Sequence, residues 1–180
     1  MKGVFLLAAI ASLPRSASAK AVIGAKTFPA EAVRAISVRT DGGAISLDVA
    51  SGKIVSADVL PSPAPGDDCV IDQSLRGGTL TLSAHPGPNP NGGAPKSCSA
   101  GFSASAPAGV RIQVRSRDGN VEVGPFSGKI DVRTGSGAIT LHRVSGELTL
   151  RTSSGTVTGR VGGQQNVDIE TGAGASICAV

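Results

Sequence analysis

The chain has 180 residues, enough for one domain with a real core. Seventeen Lys and Arg stand against thirteen Asp and Glu, a formal charge of +4. With no Trp, no Tyr and four Phe, it has no aromatic platform for stacking nucleobases or sugars, and its core has to be built from Val, Ile, Leu and Ala.

Lys2 precedes an apolar stretch, Val4 to Ala11, well short of the ~20 apolar residues that a membrane helix needs. Pro14 ends it, and Ala17-Ser18-Ala19 fits an A-x-A cleavage site, so residues 1–19 are predicted to be a cleavable signal peptide. Losing Lys2 and Arg15 takes the basic residues from seventeen to fifteen against thirteen acidic ones, a charge of about +2. The whole-chain pI of 9.3 therefore overstates any general attraction to polyanions. No cysteine follows the apolar stretch to carry a lipid, and no later run is long enough for a membrane span. The expectation is an exported protein, periplasmic or at the cell surface, with residues 20–180 forming a single β-repeat domain.

Along that domain no long segment carries a helical period; Glu31 to Ile36 holds one turn at most. Alternation dominates instead, in Ala44 to Val49, Thr79 to Leu82 and Val110 to Val114. Period-two patterning with β-branched residues predicts strands with one buried face. Leu60 to Pro65 and His85 to Pro95 are Pro-rich and read as loops inside the domain. In an oxidising compartment Cys69 and Cys98, which bracket the second loop, are the natural disulfide pair. Closing a ring of about thirty residues contributes roughly 3–4 kcal/mol in the chain-entropy model. Cys178 is left as a buried free thiol or a cross-link to another chain, and spacing leaves its pairing with Cys69 or Cys98 open.

From residue 118 to 162 the pattern becomes regular. Gly119, Gly128, Gly137, Gly146 and Gly155 recur every nine residues, each followed by Gly-x-Φ-x-Φ with Φ aliphatic: Val121/Val123, Ile130/Val132, Ile139/Leu141, Leu148/Leu150, and Val157 with Gly159 in the last slot. The residue before each glycine is Asp118 or a serine (Ser127, Ser136, Ser145, Ser154), short side chains that bond local backbone and close turns. Glycine itself is expected at these corners because turns of this kind often need φ > 0. Each unit thus reads as a five-residue strand and a four-residue corner, and such units gain stability by covering one another. The fold class expected is all-β, a repeat-built parallel β-solenoid or β-roll with eighteen residues per turn; the alternative is an antiparallel β meander in which consecutive units pair. The first half reads as a looser version, with Gly43 and Gly52 nine apart and Gly78 before Leu80/Leu82.

The repeats from Asp118 to Gly159, preceded by "GFSASAPAGVRIQVRSRDGNVEV" with its Pro107-Ala108-Gly109 turn, resemble the bacterial "putative adhesin" β-repeat domain family. The strands around Gly42 to Val59 and Cys69 to Ala84 resemble that family's N-terminal strands less specifically. The resemblance implies a β-rich solenoid-like domain in exported or envelope-associated proteins and no defined catalytic residues.

Motifs for chemistry are sparse. A calcium-binding β-roll repeats an aspartate at each corner; here Asp118 has no counterpart in the next four units, so no metal site is assigned. "GPFSGK" at Gly124 to Lys129 lacks the spacing and the Ser/Thr of a P-loop. His85 reads as a residue of the Pro-rich loop and His142 as an exposed strand position. Glycoside hydrolysis needs a carboxylate pair at defined separation, whereas Glu122 and Asp131 lie in successive units and would face opposite sides of a two-sheet roll. No catalytic residue and no cofactor is assigned. The position after the second Φ reads Gly124, Arg133, His142, Arg151, Arg160. Arg133, Arg151 and Arg160 are the candidate polyanion contacts, with Arg111, Arg115 and Arg117 extending a basic stripe, because guanidinium groups bind phosphate and carboxylate by paired hydrogen bonds. The same charges also suit a solvated face that keeps sheet edges unpaired. The functional expectation is a non-catalytic envelope or surface interaction module, its partner a cell-envelope polymer, a surface protein or a second copy of itself, without nucleic acid or a membrane span. A self-assembling scaffold is the alternative, and an envelope polysaccharide-acting enzyme stands last.

Overall fold

The computed structural model describes residues 25–60, 69–88, 98–163 and 166–179. The predicted signal peptide and most of the two Pro-rich loops lie outside the described residues.

The strands run β1 (Lys26–Pro29), β2 (Ala35–Gly42), β3 (Ile45–Val49), β4 (Ile54–Leu60), β5 (Cys69–Arg76), β6 (Thr79–Pro86), β7 (Gly101–Ala106) and β8 (Arg111–Asp118). They continue with β9 (Val121–Val123), β10 (Ile130–Thr134), β11 (Ile139–Val144), β12 (Leu148–Thr152), β13 (Val157–Val161), β14 (Val167–Thr171) and β15 (Ala175–Ala179). The turn foreseen near Glu31 is three residues of 3₁₀ helix, Ala30–Ala32. Two mixed sheets result, with strand orders β1-β4-β7-β3-β9-β11-β13-β15 and β14-β12-β10-β8-β2-β6-β5. His85 falls in β6 opposite Val70, not in a loop as its proline-rich surroundings suggested.

Consecutive nine-residue units alternate between the sheets, so the meander is not the pairing adopted. Ile130 lies beside Ile112 and Leu148, and Ile139 beside Val121 and Val157, all in parallel ladders offset by eighteen residues. From β8 to β13 the inward row is apolar and buried: Ile112, Val114, Ile130, Val132, Leu148 and Leu150 from one sheet, and Val121, Val123, Ile139, Leu141 and Val157 from the other. Phe102 and Phe126 are fully buried in the same continuous core.

The first half joins this stack out of chain order. The pair β2–β3 stacks on β8–β9, and the pair β6–β7 stacks on the far side of β2–β3, again in parallel. Antiparallel strands close that end: β4 and β1 beyond β7, and β5 beyond β6. The β5–β6 hairpin turns on Gly77-Gly78, at φ 55° and 79°, the left-handed pair that a type I′ two-residue loop demands. Cys69 and Cys98 are disulfide-bonded with Cα atoms 5.4 Å apart, tying the start of β5 to the segment before β7.

The corners correct the reason given for their glycines. Among the five repeat glycines only Gly119 and Gly146 have positive φ. Gly137 and Gly155 are needed because the corners stack too closely for a side chain: a Cβ on Gly137 would overlap the Gly119 carbonyl, and one on Gly155 the Gly137 carbonyl. Gly43 is packed in the same way, but a Cβ on Gly52 would meet nothing within 4 Å, and Gly52 precedes an exposed Ile54, so the first-half spacing of nine does not mark a second stacked corner.

A buried hydroxyl accompanies these close approaches. Thr152 Oγ1 donates to the Gly137 carbonyl (3.2 Å) and accepts from the Gly155 N–H (3.0 Å). Thr134 makes the same two bonds one turn earlier, to the Gly119 carbonyl and from the Gly137 N–H, and Thr171 donates to the Gly155 carbonyl at 2.7 Å. A corner that excludes water thus satisfies its own backbone through one threonine per turn.

Candidate functional site

With inward positions apolar, the alternate residues of each strand face solvent, and in-register parallel pairing sets like positions side by side. On the seven-stranded sheet this produces one continuous row: Arg39 of β2 beside Arg115 of β8, Arg115 beside Arg133 of β10, and Arg133 beside Arg151 of β12. All four side chains are exposed. Neighbouring strands lie about 4.8 Å apart, so the four Cα atoms span roughly 14 Å across the sheet. The row ends in acids: Glu170 of β14 follows Arg151, and on the other side Ser83 of β6 leads to Asp72 of β5.

The two halves of the row differ electrostatically. Arg133 is held by Asp131 two residues back, Nε to Oδ1 at 3.1 Å and Nη2 to Oδ2 at 3.3 Å. Arg151 sits between Asp168 and Glu170, at 3.5 Å from each. Arg39 and Arg115 have no acidic partner among the described residues, and their neighbours in the preceding row are Ser37 and Gln113. Arg111, on the same face of β8, is likewise unpaired among the described residues, while Arg117 is shared between Asp118 (3.4 Å) and Asp41 (4.0 Å). Lys129 is neutralised by Glu147 at 2.5 Å. Positive charge on this sheet therefore concentrates on β2 and β8. Two shallow grooves flank the row, one of about 490 Å³ along Arg133 and Arg151 and one of about 390 Å³ along Arg111 and Gln113.

Of the three candidate polyanion contacts, the structure brings Arg133 and Arg151 together and sets Arg160 on β13 of the opposite sheet. An eighteen-residue turn would set His142 over Arg160, but a bulge interrupts that ladder. Leu141 pairs with Gly159 and Val144 with Val161, leaving two residues of β11 opposite one of β13. Arg143 takes up the extra residue at φ 54°, so that His142 and Arg143 both face solvent. His142 instead meets Glu122, Nε2 to Oε1 at 2.7 Å. Glu122 and Asp131 lie on different sheets, as a two-sheet arrangement requires. Cys178 is in β15, but its side chain is outside the described residues.

Sequence reasoning overlooked Arg39. A signal does exist: a hydrophobic residue, arginine and a short hydroxyl recur as Val38-Arg39-Thr40, Val114-Arg115-Ser116, Val132-Arg133-Thr134 and Leu150-Arg151-Thr152. The last three are eighteen apart, but seventy-six residues separate Arg39 from Arg115, so no fixed period links the first to the rest.

No protein-family model and no curated protein matches the chain. Among solved structures, one described as a putative cell adhesion protein from Clostridium sporogenes is similar at 12% identity and a TM-score of 0.55, over 87% of this chain and 97% of that one. Another, described as a putative adhesin from Parabacteroides merdae, aligns at 10% identity over 87% of this chain and 95% of that one, with a TM-score of 0.25. The first likeness establishes a shared all-β fold. Among the described residues no helix is long and apolar enough to cross a membrane.

Proposed function

We propose that this chain is a non-catalytic, exported interaction module of the bacterial cell envelope, a two-sheet parallel solenoid that meets its partner with an open sheet face. The observation that carries this reading is the seven-stranded sheet, whose solvent side presents charge in an ordered row over shallow grooves. The Cys69–Cys98 disulfide supports an oxidising compartment, and the fold shared with a protein described as a cell adhesion protein supports a surface role. Co-sedimentation of the chain with isolated envelope fractions tests it. Saturable binding is expected; no binding at low salt would overturn it.

A second reading, self-assembly into an envelope scaffold, draws on one feature. At the end of the stack formed by β14 and β15, Val167 is 41% exposed, whereas its counterpart Leu148 on β12 is buried. Among the described residues β14 and β15 are the outermost strands of their sheets at that end, and an open edge there is available to another chain. Sedimentation velocity at rising concentration would show association if this reading holds, and a monomer throughout would remove it.

A further inference from the structure

We propose that the arginine row Arg39–Arg115–Arg133–Arg151 is a binding strip for a linear anionic glycopolymer, laid across the strands with its carboxylate or phosphodiester groups on successive arginines. The inference rests on the interaction-module reading and names the ligand class of that face.

Three features support it. First, like charges in register on adjacent strands oppose the fold, and solubility alone is served as well by mixed signs; yet arginine occupies this row on four successive strands. Second, the charge is graded. Arg39 and Arg115 lack acidic partners among the described residues and are open to an incoming anion. Arg133 and Arg151 hold carboxylates from their own sheet, which an anionic polymer can replace with like geometry. A polymer therefore docks first at β2 and β8 and then extends towards β12. Third, the row is bounded. Asp72 and Glu170 close its two ends and repel further anions, so the footprint is about 14 Å of chain, set by the strand spacing. The chain has no Trp and no Tyr, so recognition falls to guanidinium forks engaging oxyanions and not to stacking on sugar rings or bases.

The test uses two defined probes with the full chain: polygalacturonate, for carboxylate, and linear polyphosphate, for phosphate, with neutral dextran as control. Binding of labelled oligomers is followed by anisotropy from low to high salt. Wild type should bind at least one probe and not dextran, with affinity rising steeply until the oligomer spans four arginines and then levelling. The double variant Arg39→Gln/Arg115→Gln should lose about tenfold or more in affinity, with a shallower salt dependence, since fewer counterions are displaced. Arg143→Gln/Arg160→Gln removes the same charge from the opposite sheet and should change affinity by less than about twofold, as expected for charges screened over a distance beyond the ~8–10 Å Debye length. Equal losses in the two double variants would overturn the strip in favour of net charge, and so would a wild type that binds neither probe. Which probe binds tells carboxylate from phosphate. Envelope binding that persists in Arg39→Gln/Arg115→Gln would overturn the strip while leaving the interaction module standing; wild type without envelope binding would remove both. Thermal unfolding of each variant confirms that the exposed substitutions leave the fold intact.

Discussion

The two halves of the chain solve the same packing problem by different means. From β8 to β15 every neighbouring pair among the described strands is parallel, and the corners repeat from turn to turn, glycine over glycine and, from β10 on, threonine over threonine. The N-terminal half contributes two turns of the same stack, β2–β3 and β6–β7, but reaches them by looping outwards and returning. It adds β1, β4 and β5 antiparallel at that end, a glycine hairpin and a disulfide. A repeat buries its inner face only when neighbours cover both sides. At one end antiparallel strands supply the cover; at the other, β14 and β15 leave Val167 exposed. Regularity is thus enough in the middle of the stack and insufficient at its edge.

The largest effect should come from forcing a side chain between stacked corners. Gly137→Ala places a Cβ against the Gly119 carbonyl, and the backbone has to move. A loss of more than about 3 kcal/mol is expected, a fall of roughly 6–12 °C in Tm at this chain length. Gly52→Ala meets nothing within 4 Å and should shift Tm by less than about 2 °C. Similar Tm values for the two would break the corner assignment. Next comes the covalent device of the other half. Replacing Cys69 and Cys98 together with alanine releases a closure spanning 29 residues of sequence and should cost roughly 3–4 kcal/mol. Hydrogen exchange should locate that loss in β5, β6 and β7, with β10 to β13 protected as before. Uniform loss of protection would mean that the two halves unfold as one unit.

The regular half was legible because its signal is local. Alternation within each strand and a nine-residue period between strands fix which side chains point inwards, and Ile130, Val132, Leu148 and Leu150 all do so. Its corner glycines were legible too, although for a reason that only stacking reveals: the carbonyl under Gly137 belongs to a residue eighteen positions back. What stayed hidden is non-local. Arg39 joins the arginine row because β2 pairs with β8 across seventy-six residues, and no periodicity carries that information. The β6–β7 turn inserts itself before β2–β3 in space though it follows in sequence. The bulge at Arg143 depends on a pairing shift between β11 and β13 that identical spacing gave no reason to expect.

The smallest predicted effects distinguish two rungs of one corner ladder. Thr152 donates across to the Gly137 carbonyl and accepts from the Gly155 N–H while 4% exposed. Thr152→Val keeps the volume and strands two backbone groups without water, at a cost of about 1–3 kcal/mol. Ser116 stands at the equivalent position opposite Thr134, yet its Oγ is buried without a partner among the described residues. Ser116→Ala removes only a desolvated hydroxyl and should be neutral or stabilising by up to about 1 kcal/mol. Chemical denaturation of both variants decides the matter. Should Ser116→Ala cost as much as Thr152→Val, the ladder runs unbroken through the junction of the two halves, and the difference between them is confined to the antiparallel end. Opposite signs would place a weak rung where β8 takes over from β2, the point at which the out-of-order half hands the stack to the regular one.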